Sequence, residues 1–256
     1  MSRGRADALL AALRDRAPIE APVAVVVAHP DDETIGCGAS LHLFRRLVLV
    51  HVTDGAPRTL HDARKAGFAT WEAYAAARMD ELDAALQVGG ATGAERYGPF
   101  VADQAVSLHL REIAETLAQR LKGVTAVLTH AYEGGHPDHD AVAFAVHQIG
   151  LPVIEMAGYH AGPDGRMETG CFLPGPPETV VDLTPGERDR REAMLRCFVT
   201  QQGTLAPFLG ARQERFRPAP RHDFTVPPAD RVHYDGFDWG MTGARFRDLA
   251  ANALRC

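Results

Sequence analysis

Short runs of β-branched residues alternate along this chain with longer stretches of helical period. Residues 23–28 (VAVVVA) are apolar at every position and bounded by Pro22 and His29, the pattern of a strand covered on both faces. Residues 47–53 and 124–129 read the same way, and 153–157 is a weaker run. Between them lie amphipathic helices. In 72–87, Ala75, Met79, Leu82 and Leu86 share one face; in 108–122 the stripe is Leu110, Ala114, Leu117 and Leu121; in 140–149 it is Val142, Val146 and Ile149. Strands alternating with helices of this size predict βαβ units and a parallel sheet. Residues 6–16 predict a further helix outside the sheet.

Past residue 157 the pattern breaks. Residues 158–180 are crowded with glycine and proline, from Gly158 to Pro177, which is loop chemistry. A short strand at 179–183 and a helix at 185–199 follow, and 217–240 holds several prolines with no sustained period. The expected fold class is α/β, a Rossmann-like, mostly parallel sheet with helices on both faces and a loop-rich C-terminal cap. One domain is expected over residues 1–256, with the N-terminal helix inside 1–20 and the loop-rich part at 158–256.

Composition narrows the function. Hydrophobic residues at 46% and charged residues at 23% exclude a disordered or fibrous chain. The 27 Lys+Arg against 33 Asp+Glu give a net charge of −6, which argues against a nucleic-acid partner needing a basic face to release counterions. No run approaches the roughly 20 apolar residues of a membrane span. Asp7, Arg14, Asp15 and Arg16 interrupt the first twenty residues, so a secretory signal is not expected. Cys37, Cys171, Cys197 and Cys256 are far apart with no C-x-x-C, a spacing that supports neither a disulfide framework nor a cysteine zinc cluster. A cytoplasmic protein is expected, and a homo-oligomer is left open.

In an open parallel sheet, ligands collect at the carboxyl ends of the strands. His29-Pro30-Asp31-Asp32-Glu33-Thr34 follows the first strand, and His136-Pro137-Asp138-His139-Asp140 follows the one at 124–129. Carboxylates at a helix start could serve as caps. Capping needs one carboxylate, however, and explains no histidine, whereas a shared metal ion explains both loops. Hydrolytic zinc takes three nitrogen or oxygen ligands and leaves one position for water. His29 and Asp32 can converge on one ion, with one histidine of the second loop completing the set. Asp31 then remains as a carboxylate free to act as base toward metal-bound water.

These paired motifs resemble the PIG-L/LmbE-like zinc N-deacetylases, which remove acetyl groups from N-acetylglucosamine-type conjugates. The resemblance runs from about Pro22 to Gly150, with traces in Thr53-Asp54-Gly55, in Arg78-Met79-Asp80-Glu81-Leu82 and in Asp103-Gln104. It implies one Zn²⁺ per chain on His29, Asp32 and His139, with Asp31 as general base. It further implies His136 as oxyanion partner or amine proton donor, Asp138 as a carboxylate that orients a histidine, and Arg78 and Asp103 as contacts to sugar hydroxyls. The substrate it implies is a small amino-sugar conjugate.

Some positions depart from the family. A tyrosine found two residues before His136 in some members is Gly134 here, with Tyr132 further back. A histidine near the end of the C-terminal helix is Phe198. Two rival readings follow: a metal hydrolase of another amide or an ester, and a carbohydrate-binding relative without catalysis. His42, His51, His61, His109 and His147 lack ligand-like spacing and are expected to be ordinary histidines. Phe68, Trp71 and Tyr74 are expected to pack the helix rather than stack on sugar. Arg212, Arg215, Arg217 and Arg221 are expected to lie on a solvated arm.

Overall fold

The structure, a computed structural model, describes residues 2–255; Cys256, the last of the cysteines, lies outside the described residues. The strands are β1 (Val23–Val27), β2 (Leu47–His51), β3 (Thr53–Pro57), β4 (Glu95–Tyr97), β5 (Val101–Asp103), β6 (Ala126–His130), β7 (Val153–Met156), β8 (Tyr159–Ala161), β9 (Met167–Thr169), β10 (Thr179–Asp182) and β11 (Gln213–Pro218). The helices are α1 (Ser2–Asp15), α2 (Asp32–Cys37), α3 (His61–Lys65), α4 (Trp71–Gly89), α5 (Leu110–Arg120), α6 (Pro137–His147), α7 (Pro185–Cys197), α8 (Gln202–Leu205) and α9 (Gly243–Leu254). Seven strands form the central sheet in the order β10-β11-β7-β6-β1-β2-β4. Five are parallel, and β11 runs antiparallel to both β7 and β10.

The unbroken apolar run of β1 is explained by its place in the centre. Val23, Val25 and Val27 enter one core with Leu13 of α1, Leu82 and Leu86 of α4, and Met194 of α7. Ala24, Val26 and Ala28 enter the other with Leu117 of α5, Phe144 of α6 and Phe246 of α9. Side chains alternate across a strand, so burial on both faces leaves no position for a polar residue. Leu82 is fully buried in the first core. Leu82→Ala is expected to cost about 2–5 kcal/mol, measured as a drop in the urea midpoint at unchanged slope.

Helix ends follow their local chemistry. Thr70 accepts from the Ala73 N–H at the start of α4, and Gly90 closes that helix at φ 70°. Thr184 and Glu187 form a reciprocal capping box at α7, a pairing that satisfies two otherwise unbonded N–H groups.

The C-terminal part carries more regular structure than its composition suggests. Residues 213–218 form β11, which the sequence reading placed on the solvated arm. Arg217 corrects that expectation: it is 3% exposed and bridges Glu155 and Glu133. Among the described residues no helix is long and apolar enough to cross a membrane.

The chain passes from β1 to β2 on one side and returns to β6 on the other. The loops after β1 and β6 therefore diverge from a cleft at the sheet's carboxyl edge, the switch point where α/β sheets bind ligands. Register places Val26 opposite Thr129, so His130 lies beside the end of β1, where its Nε2 accepts the Ala28 N–H next to His29.

Candidate active site

Asp31 opens α2 with φ 135° and ψ −26°, a backbone region that costs a non-glycine residue about 1–3 kcal/mol. Glu33 holds it there. Fully buried, Glu33 accepts the Asp31 N–H at 3.1 Å, the Thr34 hydroxyl at 2.5 Å and faces His51 Nε2 at 3.0 Å. The Asp31 side chain does not cap the helix. It turns instead to Arg78 Nη2 at 2.9 Å. Asp32 Oδ2 accepts the His29 N–H at 2.7 Å, which closes the turn and carries both side chains to the same side.

The two loops meet as their spacing predicts. His29 Nδ1 lies 3.2 Å from Asp32 Oδ2 and 3.3 Å from His139 Nε2, and His139 Nε2 lies 3.2 Å from Asp32 Oδ1. Ligand atoms about 2.0–2.1 Å from a tetrahedral zinc stand roughly 3.3 Å apart, so these donors fit such an ion. The charge fits as well. Asp31, Asp32, Asp103 and Asp138 crowd one buried corner, with Arg78 beside Asp31 as guanidinium counter-charge. Burial opposes protonation of His29, yet Asp103, Asp138 and Asp32 hold its pKa well above the usual value. A corner that draws a proton onto an imidazole in this way would also attract a divalent cation.

The remaining atoms divide the work. His29 Nε2 faces Asp103 Oδ1 at 3.0 Å and Asp138 Oδ2 at 3.5 Å, which turns Nδ1 toward Asp32 and His139. Carboxylates behind a ligating imidazole fix its tautomer and orientation. Asp138 also accepts the Gln104 N–H at 2.6 Å and the Val106 N–H at 3.2 Å, so it ties the loop carrying Asp103 to the second loop. Its carboxylate faces His29 rather than His136. Its own N–H donates to His136 Nδ1 at 3.1 Å, which leaves Nε2 as the protonated nitrogen of His136. Burial, then His29 and His139, press the His136 pKa well below normal, and burial takes His139 down to about 4. Both imidazoles are therefore neutral near pH 7.

Arg78 is 4% exposed and gives its terminal nitrogens to Gly55 O, Pro30 O and Asp31. Asp103 is likewise engaged with His29. The sugar contacts expected of these two residues would thus come in addition to internal bonds. Glu81, one turn beyond Arg78 on α4, accepts the Thr200 N–H and hydroxyl, each at 2.7 Å, so the same helix face holds both Asp31 and the segment after α7. Phe198, in place of the family histidine, is fully buried in the first core.

Several residues of the site were not found from sequence. His130, the last residue of β6, stacks on His139 with ring centroids 3.9 Å apart. It also falls in a possible ligand group with Asp32 and His139. Its Nε2 receives the Ala28 N–H at 3.0 Å, however, so that lone pair is already used and the imidazole supports His139 instead. Tyr132 does not enter the site; its hydroxyl donates to Val226 O at 2.8 Å within an aromatic cluster. The tyrosine beside His139 is Tyr159, 5.3 Å between ring centroids, and Trp239 packs on His136 at 4.8 Å. Both line a cleft of about 920 Å³ together with His29, Asp31, Phe208 and Gln201. Tyr74 and Phe68 pack on each other at 5.6 Å as well as lining the cleft.

A Cβ on Gly135 would lie 2.1 Å from the Tyr159 carbonyl oxygen. Gly135→Ala is therefore expected to force the second loop away from β8 and to cost about 1–3 kcal/mol, read by thermal and urea unfolding.

Residues 24–149 match the PIG-L family, described as GlcNAc-PI de-N-acetylase, and form a domain of that family. No curated protein sequence matched the chain. The fold is that of solved deacetylases. The zinc-inhibited form of teicoplanin deacetylase Orf2 superposes with a TM-score of 0.60 at 19% identity, covering 79% of this chain and 99% of that one. N,N'-diacetylchitobiose deacetylase from Pyrococcus horikoshii superposes at 0.57 and 19% identity, covering 86% and 90%. GalB, the 4-carboxy-2-hydroxymuconate hydratase from Pseudomonas putida KT2440, shares the fold at 0.52 and 17% identity, covering 80% and 98%.

Proposed function

We propose that this chain is a zinc-dependent N-deacetylase that hydrolyses the N-acetyl amide of an N-acetylglucosamine-type sugar conjugate to acetate and a free amine. The observation that carries the reading is the approach of His29 Nδ1 and His139 Nε2 to 3.3 Å of each other, each 3.2 Å from one oxygen of the Asp32 carboxylate, Oδ2 and Oδ1 respectively, beside a buried carboxylate, Asp31, that takes no part in this triangle of residues. Zinc on those residues would polarise the acetyl carbonyl and make a water acidic enough to lose its proton near neutrality.

The chain's own groups do the rest. Burial pushes Asp31 up to about 8, with Arg78 as the largest opposing influence; a cation on its neighbours draws it down further, toward the basic form. Asp31 accepts the proton of the attacking water as the new C–O bond forms. His136, neutral and protonated at Nε2, donates to the oxyanion of the tetrahedral species, and preorganised donors of this kind supply a large part of acyl-transfer catalysis. When the C–N bond breaks, the amine takes up a proton equivalent to the one Asp31 removed. Arg78 sets the position of Asp31, while Asp103 and Asp138 set the ring of His29. A cleft of about 920 Å³ suits a conjugate larger than a monosaccharide. Its wall of Tyr159, Phe208 and Trp239 offers faces on which sugar rings can stack. Cys37, Cys171 and Cys197 are free thiols, which suits a cytoplasmic location.

The same two-loop geometry would serve hydrolysis of an ester or a non-sugar amide, and that is the second reading. Incubating the zinc-loaded protein with N-acetylglucosamine conjugates, simple esters and non-sugar acetamides, and measuring acetate release, separates them. Release from the sugar conjugates alone is expected. Release from esters or non-sugar amides alone, or tight sugar binding with no turnover, would reject the proposal.

A further inference from the structure

Away from the cleft, His147 at the end of α6, Glu155 on β7 and His222 at the root of the C-terminal arm place one ligand atom each within 4.8 Å of one another. Their spacing along the chain offers no reason to group them, and His147 is one of the histidines expected above to be ordinary. Two features bear on the cluster. His147 Nε2 is buried with no hydrogen-bond partner among the described residues, and an unmet polar atom of this kind costs about 1–3 kcal/mol. Glu155 and Glu133, both nine-tenths or more buried, share one guanidinium, Arg217, at 2.6 and 3.1 Å. With the neighbouring imidazoles of His222 and His160 neutral, two buried carboxylates against one guanidinium leave a negative charge to be balanced. His222 Nε2 already faces Glu155 Oε1, and the two imidazole rings stand 5.1 Å apart inside a wall made by Phe224 and Tyr132.

We infer that His147, Glu155 and His222 form a second divalent-metal site, of the nitrogen-nitrogen-carboxylate type that zinc accepts, separate from the catalytic corner. An ion there fills the open valence of His147 and offsets the surplus carboxylate charge. It also fastens the arm. From His222 the chain is held by Tyr132 to Val226 O, by His233 N–H to Gly134 O and by Tyr234 to Asp140, before it delivers Trp239 to His136. The proposed ion thus anchors the start of the segment that walls the substrate cleft.

The test uses the full chain loaded with zinc alone, dialysed, and assayed for bound metal by elemental analysis and for thermal unfolding. His139→Ala removes a catalytic ligand and leaves the second cluster intact; it is expected to retain about one equivalent of zinc and to melt at a higher temperature with zinc than without. His139→Ala/His147→Gln is expected to retain none and to lose the zinc-dependent rise in melting temperature; His147→Gln alters a partly exposed helix end and avoids the Arg217 network. A folded His139→Ala chain with no zinc, or equal zinc in the two variants, would overturn the inference. Loss of zinc on His147→Gln but not on His139→Ala would uphold the second site and instead reject the catalytic triangle.

Discussion

Asp31→Asn is expected to keep the catalytic metal and lose turnover by roughly 10²- to 10⁴-fold, the usual worth of a positioned general base, whereas His139→Ala is expected to lose the catalytic ion and keep only the one at His147, Glu155 and His222. The contrast rests on geometry. His139 Nε2 points at His29 Nδ1 and Asp32 Oδ1, so removing it takes away one corner of the ligand triangle. The Asp31 carboxylate points at Arg78, and asparagine keeps an oxygen for that contact and tolerates positive φ better than most residues. Metal content measured beside acetate release separates the two roles. Equal metal loss in both variants would show that Asp31 is a ligand and not a base.

Arg78→Met is expected to lower kcat more than it raises KM and to destabilise the fold by roughly 3–5 kcal/mol, because it leaves a buried carboxylate without its counter-charge. The sign of the pH effect follows. Burial raises the Asp31 pKa and Arg78 is the largest influence lowering it, so the variant's pKa moves upward. A base acts only when deprotonated, so the acid limb of the rate profile shifts to higher pH. Each unit by which the pKa lies above the assay pH leaves about a tenth of the base form. Arg78→Lys restores little, since one ammonium cannot serve Gly55 O, Pro30 O and Asp31 in the planar fork that a guanidinium provides. A role confined to sugar hydroxyls would give the opposite result: a raised KM with kcat and its pH profile unchanged.

Much of this molecule was legible in its residues. The strands at 23–27, 47–51 and 126–130 and the helices at 71–89 and 110–120 lie within a few residues of their apolar patterns, because period and burial are local consequences of side-chain order. The meeting of the first loop with the second was legible as well, since both follow strands of one parallel sheet. Strand β11 was hidden because its sequence, QERFRP, holds charged residues whose partners come from elsewhere in the chain: Ser40 for Glu214, Glu178 for Arg215, and Glu155 and Glu133 for Arg217. His130 was hidden because one more residue at the end of an apolar run carries no sign of its sheet neighbour.

The order of residues alone determined the α/β pattern, the two histidine-aspartate loops and the supply of candidate ligands, because each depends on neighbours within a few positions. Which nitrogen of His29 faces the ligand triangle, that Arg78 spends itself on Asp31, that Tyr159 and not Tyr132 stands at the site, and that His147 meets His222 were decided only by the tertiary structure. Those facts depend on strand order, on register and on buried charges finding counter-charges across long stretches of chain. No local pattern encodes the distance between side chains brought together by the packing of a sheet.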